Sequence, residues 1–269
     1  MRIRPVITTV VVIGAVYAGI CALAWAFQDR LVWFPGPPPT TDPGRYGLDF
    51  DDLRLMTSDD IDLHAWFLPG AADRAVLISH GNGGTIENIV PLVKAFRDMG
   101  ASVLVYDYRG YGDSAGSTSE EGTYRDAEAA FDWLLGQGFA PDQIVAYGHS
   151  LGGAVSIALA TRRPVSKLIV ENTFSSLTDI GAHSYPWLPV RLLSRIEYDS
   201  VARAPDVTAK ALVIHSAQDE MIPIGMGRLL HDVLAGEKQF LETSGGHADG
   251  GFMLDLTSTR AVADFLDAE

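Results

Sequence analysis

Residues 145–160 read VAYGHSLGGAVSIALA, and this stretch decides the fold. An apolar run of strand type gives way to an apolar run of helix type, with Gly148, Ser150 and Gly152 at the change. A G-x-S-x-G pattern carries weight only between a strand and a helix, and that context is present here. The reason is steric. A serine lifted above a sheet on a tight turn draws its neighbours so close that only residues without Cβ fit beside it. Gly153 would then let the helix lie close to the sheet. A glycine-flanked serine can also be a plain helix cap, but the flanking runs favour a displayed nucleophile.

Outward from this point the chain alternates. On the N-terminal side, LRLMTSDDIDLHAWFLPG reads as two strands joined by a turn at Ser58 to Asp60. RAVLISHGNGG is a short buried-type strand ending in glycines, and Thr85 could cap a helix with Ile86, Ile89, Val90, Val93, Phe96 and Met99 inward, stopped by Gly100. ASVLVYDYRGYGDS is another strand, followed by a helix bearing Tyr124, Ala127, Phe131, Leu134 and Leu135. On the C-terminal side come strand KLIVENTF, an irregular insert at about 175–207, strand KALVIHSAQDE, helix GMGRLLHDVL, strand KQFLET and a helix ending AVADFL. Near-continuous apolar strands between amphipathic helices predict a mostly parallel sheet covered on both faces. Ligands of such sheets bind beyond the carboxyl ends of the strands.

A serine hydroxyl is a weak nucleophile without a base, and the base needs a carboxylate to orient it. In this strand–serine–helix context the order along the chain is serine, acid, histidine. Of seven histidines, His247 on the SGGH loop after the last strand is the one in place. Asp219, just past strand ALVIH, is the expected acid, with Glu171 its rival. Backbone amides of Leu151 and of Asn82 (reserve, Gly83) are the expected oxyanion donors. HGNGGT could be a phosphate cradle, but Ile86 stands where a third glycine is needed and no P-loop lysine follows. No metal-ligand spacing stands out, and the HADGG carboxylate reads as a loop charge.

Residues 5–27 carry no charged side chain, follow Arg2 and Arg4, and are long enough to cross a bilayer as a helix. We expect a membrane anchor over 1–27, with a signal peptide as the other reading. The two arginines favour a cytoplasmic N-terminus and an extracytoplasmic catalytic domain. Residues 28–46, which include FPGPPPTTDPG, read as an extended spacer, and 47–269 as one domain. A net charge of −14 excludes a nucleic-acid partner and leaves membrane attachment to the apolar segment. Cys21, the lone cysteine, lies in that segment and says nothing about redox compartment.

Together HGNGG, YDYRGYGDSAG, GHSLGG, HSAQDEMIP and GGH resemble the α/β-hydrolase superfamily, and more narrowly its membrane-anchored serine aminopeptidase-like and protein-depalmitoylase-like branch. The resemblance covers about residues 28–267 and the preceding anchor. It implies an α/β-hydrolase fold with a mostly parallel eight-stranded sheet, and Ser150, His247, Asp219, Asn82 and Leu151 in the roles already reached. It further implies an ester or thioester hydrolase with no cofactor, acting on a small-molecule or acylated substrate. A peptidase or amidase would use the same groups, and a non-catalytic ligand-binding relative would have no need to keep them. The insert is short beside the caps of true lipases. Its Trp187, Leu188, Val190, Leu192, Leu193 and Ile196 are expected to pack as core over the sheet, with contact to an acyl chain or bilayer as the other reading. Arg191 and Arg195 are expected as a solvated face rather than an anion site.

Overall fold

The computed structural model describes residues 3–268; Arg2 and the side chain of Arg4, used above, lie outside the described residues. Eight strands, β1 (Asp51–Met56), β2 (Asp62–Leu68), β3 (Ala75–Ser79), β4 (Ser102–Tyr106), β5 (Ile144–His149), β6 (Lys167–Glu171), β7 (Lys210–Ser216) and β8 (Lys238–Thr243), form one sheet. Their order is β1-β2-β4-β3-β5-β6-β7-β8. The β1–β2 hairpin and the β2–β4 pair are antiparallel, and every other pairing is parallel. Asp60, at a φ of 61°, turns the hairpin where the sequence predicts it.

Alternate residues of the central strands feed two separate cores, the reason the strands are apolar throughout. Leu77, Ala146, Leu168 and Val213 face one layer, packed by Phe131 and Ala127 of α4 (Glu120–Gly136) and Ala154 of α5 (Leu151–Arg162). Val76, Tyr147, Ile169 and Ile214 face the other, packed by Phe96 of α3 (Val90–Asp98) and by Val262 and Phe265 of the last helix (Leu256–Asp267). Of the residues expected to face inward from the α4 helix, one falls out of the pattern. Leu135 is 37% exposed because it lies one position beyond the stripe formed by Tyr124, Ala127, Phe131 and Leu134.

The turn between β5 and α5 explains its glycines. A Cβ on Gly148 would sit 2.0 Å from the Gly152 carbonyl oxygen, one on Gly152 1.9 Å from the Ser79 carbonyl oxygen, and one on Gly153 2.5 Å from the Thr173 side chain. Backbone, not a flexible side chain, blocks the first two positions. Gly152→Ala is therefore expected to destabilise the protein by about 4 kcal/mol or more. A thermal unfolding midpoint close to that of the unsubstituted protein would show that the turn is looser than described.

Residues Val6–Ala26 of α1 (Ile3–Ala26) have a mean hydropathy of 2.4 and none of that span is buried, so by length and composition it can cross a bilayer. After α2 (Gln28–Val32) the proline-rich segment is not the free spacer its composition suggests. Trp33 is buried and donates from Nε1 to the Tyr198 hydroxyl at 3.2 Å, the Gly36 amide donates to Gly84 at 3.1 Å, and Thr40 donates to Glu87. Prolines without N–H groups favour an extended chain, but the donors between and beside them find acceptors on the domain. The insert after β6 forms α6 (Leu177–Ser184), α7 (Val190–Leu193) and α8 (Ser200–Arg203), a short cap against α1.

Candidate active site

Three strand ends bring the predicted residues to one rim of the sheet. Ser150 follows β5 with φ 54° and ψ −119°, a backbone state that non-glycine residues hold only when their surroundings enforce it. Its amide donates to the Glu171 carbonyl at 2.9 Å, while its own carbonyl accepts from Gly153 at 3.0 Å and from the Thr173 hydroxyl at 2.7 Å. The hydroxyl is thus displayed by a turn fixed on both sides.

His247 sits 6% exposed on the loop after β8, with Nε2 3.0 Å from Ser150 Oγ and Nδ1 2.7 Å from Asp219 Oδ2. Asp219 follows β7, and its Oδ1 accepts from the amides of Met221 and Ile222 at 2.9 and 2.8 Å. Burial disfavours this carboxylate, but the His247 hydrogen bond and those two amides outweigh it and hold its pKa below the ordinary value. An ionised carboxylate only accepts, so Nδ1 of His247 carries the proton. In a neutral ring, that leaves the lone pair of Nε2 facing the Ser150 hydroxyl.

The supports of the histidine loop carry no sequence motif. The His247 carbonyl accepts from His149 Nε2 at 3.0 Å and from Asn172 Nδ2 at 3.2 Å, and its amide donates to Glu220 at 3.1 Å. Asn172 has a φ of 47°, tolerable for asparagine. Burial, then the neighbouring imidazole of His247, pushes His149 down to about 4, so it is neutral at pH 7 and can donate from Nε2. Asp249 accepts from the Gly246 amide and serves this loop as a brace.

Glu171, the rival acid, is engaged elsewhere. It accepts from the Tyr147 hydroxyl and, at 2.7 Å, from the Phe252 amide, and burial pushes it up to about 7. A carboxyl whose native pKa lies above its ordinary 4.5 contributes stability that is complete below pH 4.5 and is lost as pH rises through about 7. Glu171→Gln has no such loss. Its unfolding midpoint, measured against the unsubstituted protein, should gain several degrees between pH 4.5 and 7.5, from at most about 3 kcal/mol of linkage. A difference that does not change with pH would show that Glu171 ionises normally.

Leu151 opens α5, so its amide is one of the first-turn N–H groups that have no intrahelical acceptor. For the Asn82 amide no acceptor is found among the described residues. The Asn82 side chain, by contrast, is held three ways: Oδ1 accepts from Phe34 at 3.1 Å and from the Tyr111 hydroxyl at 2.7 Å, and Nδ2 donates to Val32 at 2.5 Å. Gly83, the reserve donor, has a φ of 89°, which lets the loop bend here. Both expected amides line the cleft of about 1180 Å³ that contains Ser150 and His247. Arg191 pairs with Asp179 at 2.6 Å and Arg195 lies over the Trp25 ring at 4.6 Å, and neither lines the cleft.

A family model described as alpha/beta hydrolase fold matches residues 74–191. The chain is 36% identical to the uncharacterized protein Rv2307c of Mycobacterium tuberculosis over 270 residues, covering 98% of this chain and 95% of that one. It is 35% identical to the alpha/beta hydrolase domain-containing protein WAV2 of Arabidopsis thaliana, covering 78% of this chain and 76% of that one. The chain belongs to the alpha/beta hydrolase fold family. Within it, the lysophosphatidylserine lipase ABHD12 of Gallus gallus is 29% identical, covering 64% of this chain and 50% of that protein. Among solved structures, the alpha/beta hydrolase fold here superposes on the esterase Pf2001 of Pyrococcus furiosus with a TM-score of 0.74 at 18% identity, covering 87% of this chain and 98% of that one.

Proposed function

We propose that this chain is a membrane-attached serine hydrolase that cleaves a carboxylic ester or thioester through an acyl-enzyme. The observation that carries this reading is the relay from Asp219 to His247 to Ser150, with contacts of 2.7 and 3.0 Å. Lipase and esterase relatives favour ester chemistry, and the apolar Val6–Ala26 helix favours attachment to a membrane.

The geometry supports the following course of reaction. Ser150 Oγ attacks the acyl carbon while Nε2 of His247 takes its proton, and Asp219 stabilises the resulting imidazolium. The carbonyl oxygen, now negative, accepts from the amides of Asn82 and Leu151, each worth about 3 kcal/mol in the transition state. His247 then gives its proton to the departing oxygen or sulfur, and the acyl group stays on Ser150. Water then attacks the acyl carbon and loses a proton to His247, which passes it to Ser150 Oγ as the Oγ–acyl bond breaks and the carboxylic acid leaves.

The test uses the full chain recovered from the membrane fraction. It should react with a fluorophosphonate and hydrolyse nitrophenyl esters. Cleavage of nitroanilides in place of esters would assign it to amides, and absence of both labelling and turnover would sink the reading.

A further inference from the structure

A second cavity, of about 650 Å³, adjoins the catalytic cleft and lies between α1 and the cap. Ile20, Leu23, Ala24 and Phe27 form one wall, and Ile180 and Leu193 stand opposite. Val32, Phe34, Asn82, Leu177, Ile180 and Ser184 line both cavities, so the two lie side by side. The size suits a ligand, since pockets that enclose small molecules run from roughly 300 to 1,000 Å³. Gln28 is no polar obstacle in this wall. Its side chain donates to Leu193 at 2.8 Å and accepts from the Arg195 amide at 2.7 Å, which consumes its polar atoms and pins the end of the helix to the cap.

The cap also climbs the helix. The Tyr17 hydroxyl donates to the Trp187 carbonyl at 2.8 Å, nine residues before Ala26. At about 1.5 Å per residue that contact lies about 14 Å along the span, within the near half of a hydrocarbon layer about 30 Å thick. Trp187 and Leu192, expected in the core, are instead 56% and 83% exposed on this part of the cap, and of the six apolar cap residues only Ile196 is buried. A surface so apolar beside a membrane-length helix is matched to lipid and not to water. Arg195 on the Trp25 ring, and Arg30 within 5.8 Å of the Phe27 ring, supply the aromatic and basic groups that collect at a membrane boundary.

We infer that this cavity is an acyl-chain site with the membrane helix itself as one wall, and that the substrate is a long-chain ester resident in the bilayer. Its chain slips sideways between α1 and the cap, and its carbonyl arrives at Ser150 from the shared lining. A chain moving from lipid into an apolar wall need not cross water, so no large cap is required to cover it. This inference rests on the ester reading of Ser150, and the experiment keeps the two separable.

Full-length protein in phosphatidylcholine nanodiscs is assayed on nitrophenyl acetate and nitrophenyl palmitate. The readout is the ratio of the two kcat/KM values. Ala24→Trp and Leu193→Trp, which fill the cavity from opposite walls, should each lower the palmitate-to-acetate ratio tenfold or more. Ala22→Trp, on the same helix but outside the lining, should keep the ratio within twofold. An unchanged ratio in both cavity variants, or a wild type that cleaves acetate but not palmitate, overturns the acyl-site inference and leaves the serine hydrolase standing. A wild type that cleaves neither takes down the Ser150 reading and this one with it.

Discussion

Replacing Ser150 with alanine should leave a folded protein that takes up no fluorophosphonate and turns over esters roughly four to six orders of magnitude more slowly. The fold should survive because what fixes this turn is backbone. The Ser150 amide on Glu171 and the Ser150 carbonyl under Thr173 are untouched, and alanine has the same Cβ at φ 54°. The hydroxyl itself has His247 as its partner, so its loss removes the proposed nucleophile and little else. Labelling that persists in Ser150→Ala, with circular dichroism unchanged, would place the reactive group elsewhere.

Asp219→Asn should lower kcat by about 10⁴-fold with far less effect on stability. The substituted side chain can keep one oxygen over the amides of Met221 and Ile222, which now donate to Oδ1. Its nitrogen then faces Nδ1 of His247 and cannot accept the proton held there. The imidazole is driven to the other tautomer, with Nε2 protonated against Ser150 and unable to act as a base. Labelling should slow in parallel with turnover. A loss smaller than tenfold would mean that another carboxylate orients His247, and Glu220, whose Oε2 accepts from the His247 amide, would be the next to test.

What the chain declares openly is what backbone sterics demand. Gly148 and Gly152 could be read without coordinates because a side chain at either position would overlap main-chain atoms, and no compensation elsewhere relieves that. Asp219 and His247 were proposed from strand order, since each lies just past a predicted strand, β7 buried almost throughout and β8 only partly. Contacts between segments far apart in the chain left no local trace. Nothing near Gln28 announces its bonds to Leu193 and Arg195, and the Asn172 hold on the His247 loop spans 75 residues. The cap misled for the same reason: its apolar residues were assigned to the sheet, the partner visible in the pattern, when most of them face the first helix or open surface. The proline-rich run misled because composition reports backbone stiffness but not which carbonyls await its few amides.

The three bonds on Asn82 bear on how this protein should be handled. Two of them come from Val32 and Phe34, a few residues past the end of the apolar helix, and the third from Tyr111. A soluble fragment that begins after Phe34 would keep the proposed nucleophile, base and acid but forfeit two of the three ties on the loop proposed to receive negative charge. Sluggish turnover by such a fragment would say little about the intact protein. The tether and the chemistry share a joint, and cutting one slackens the other.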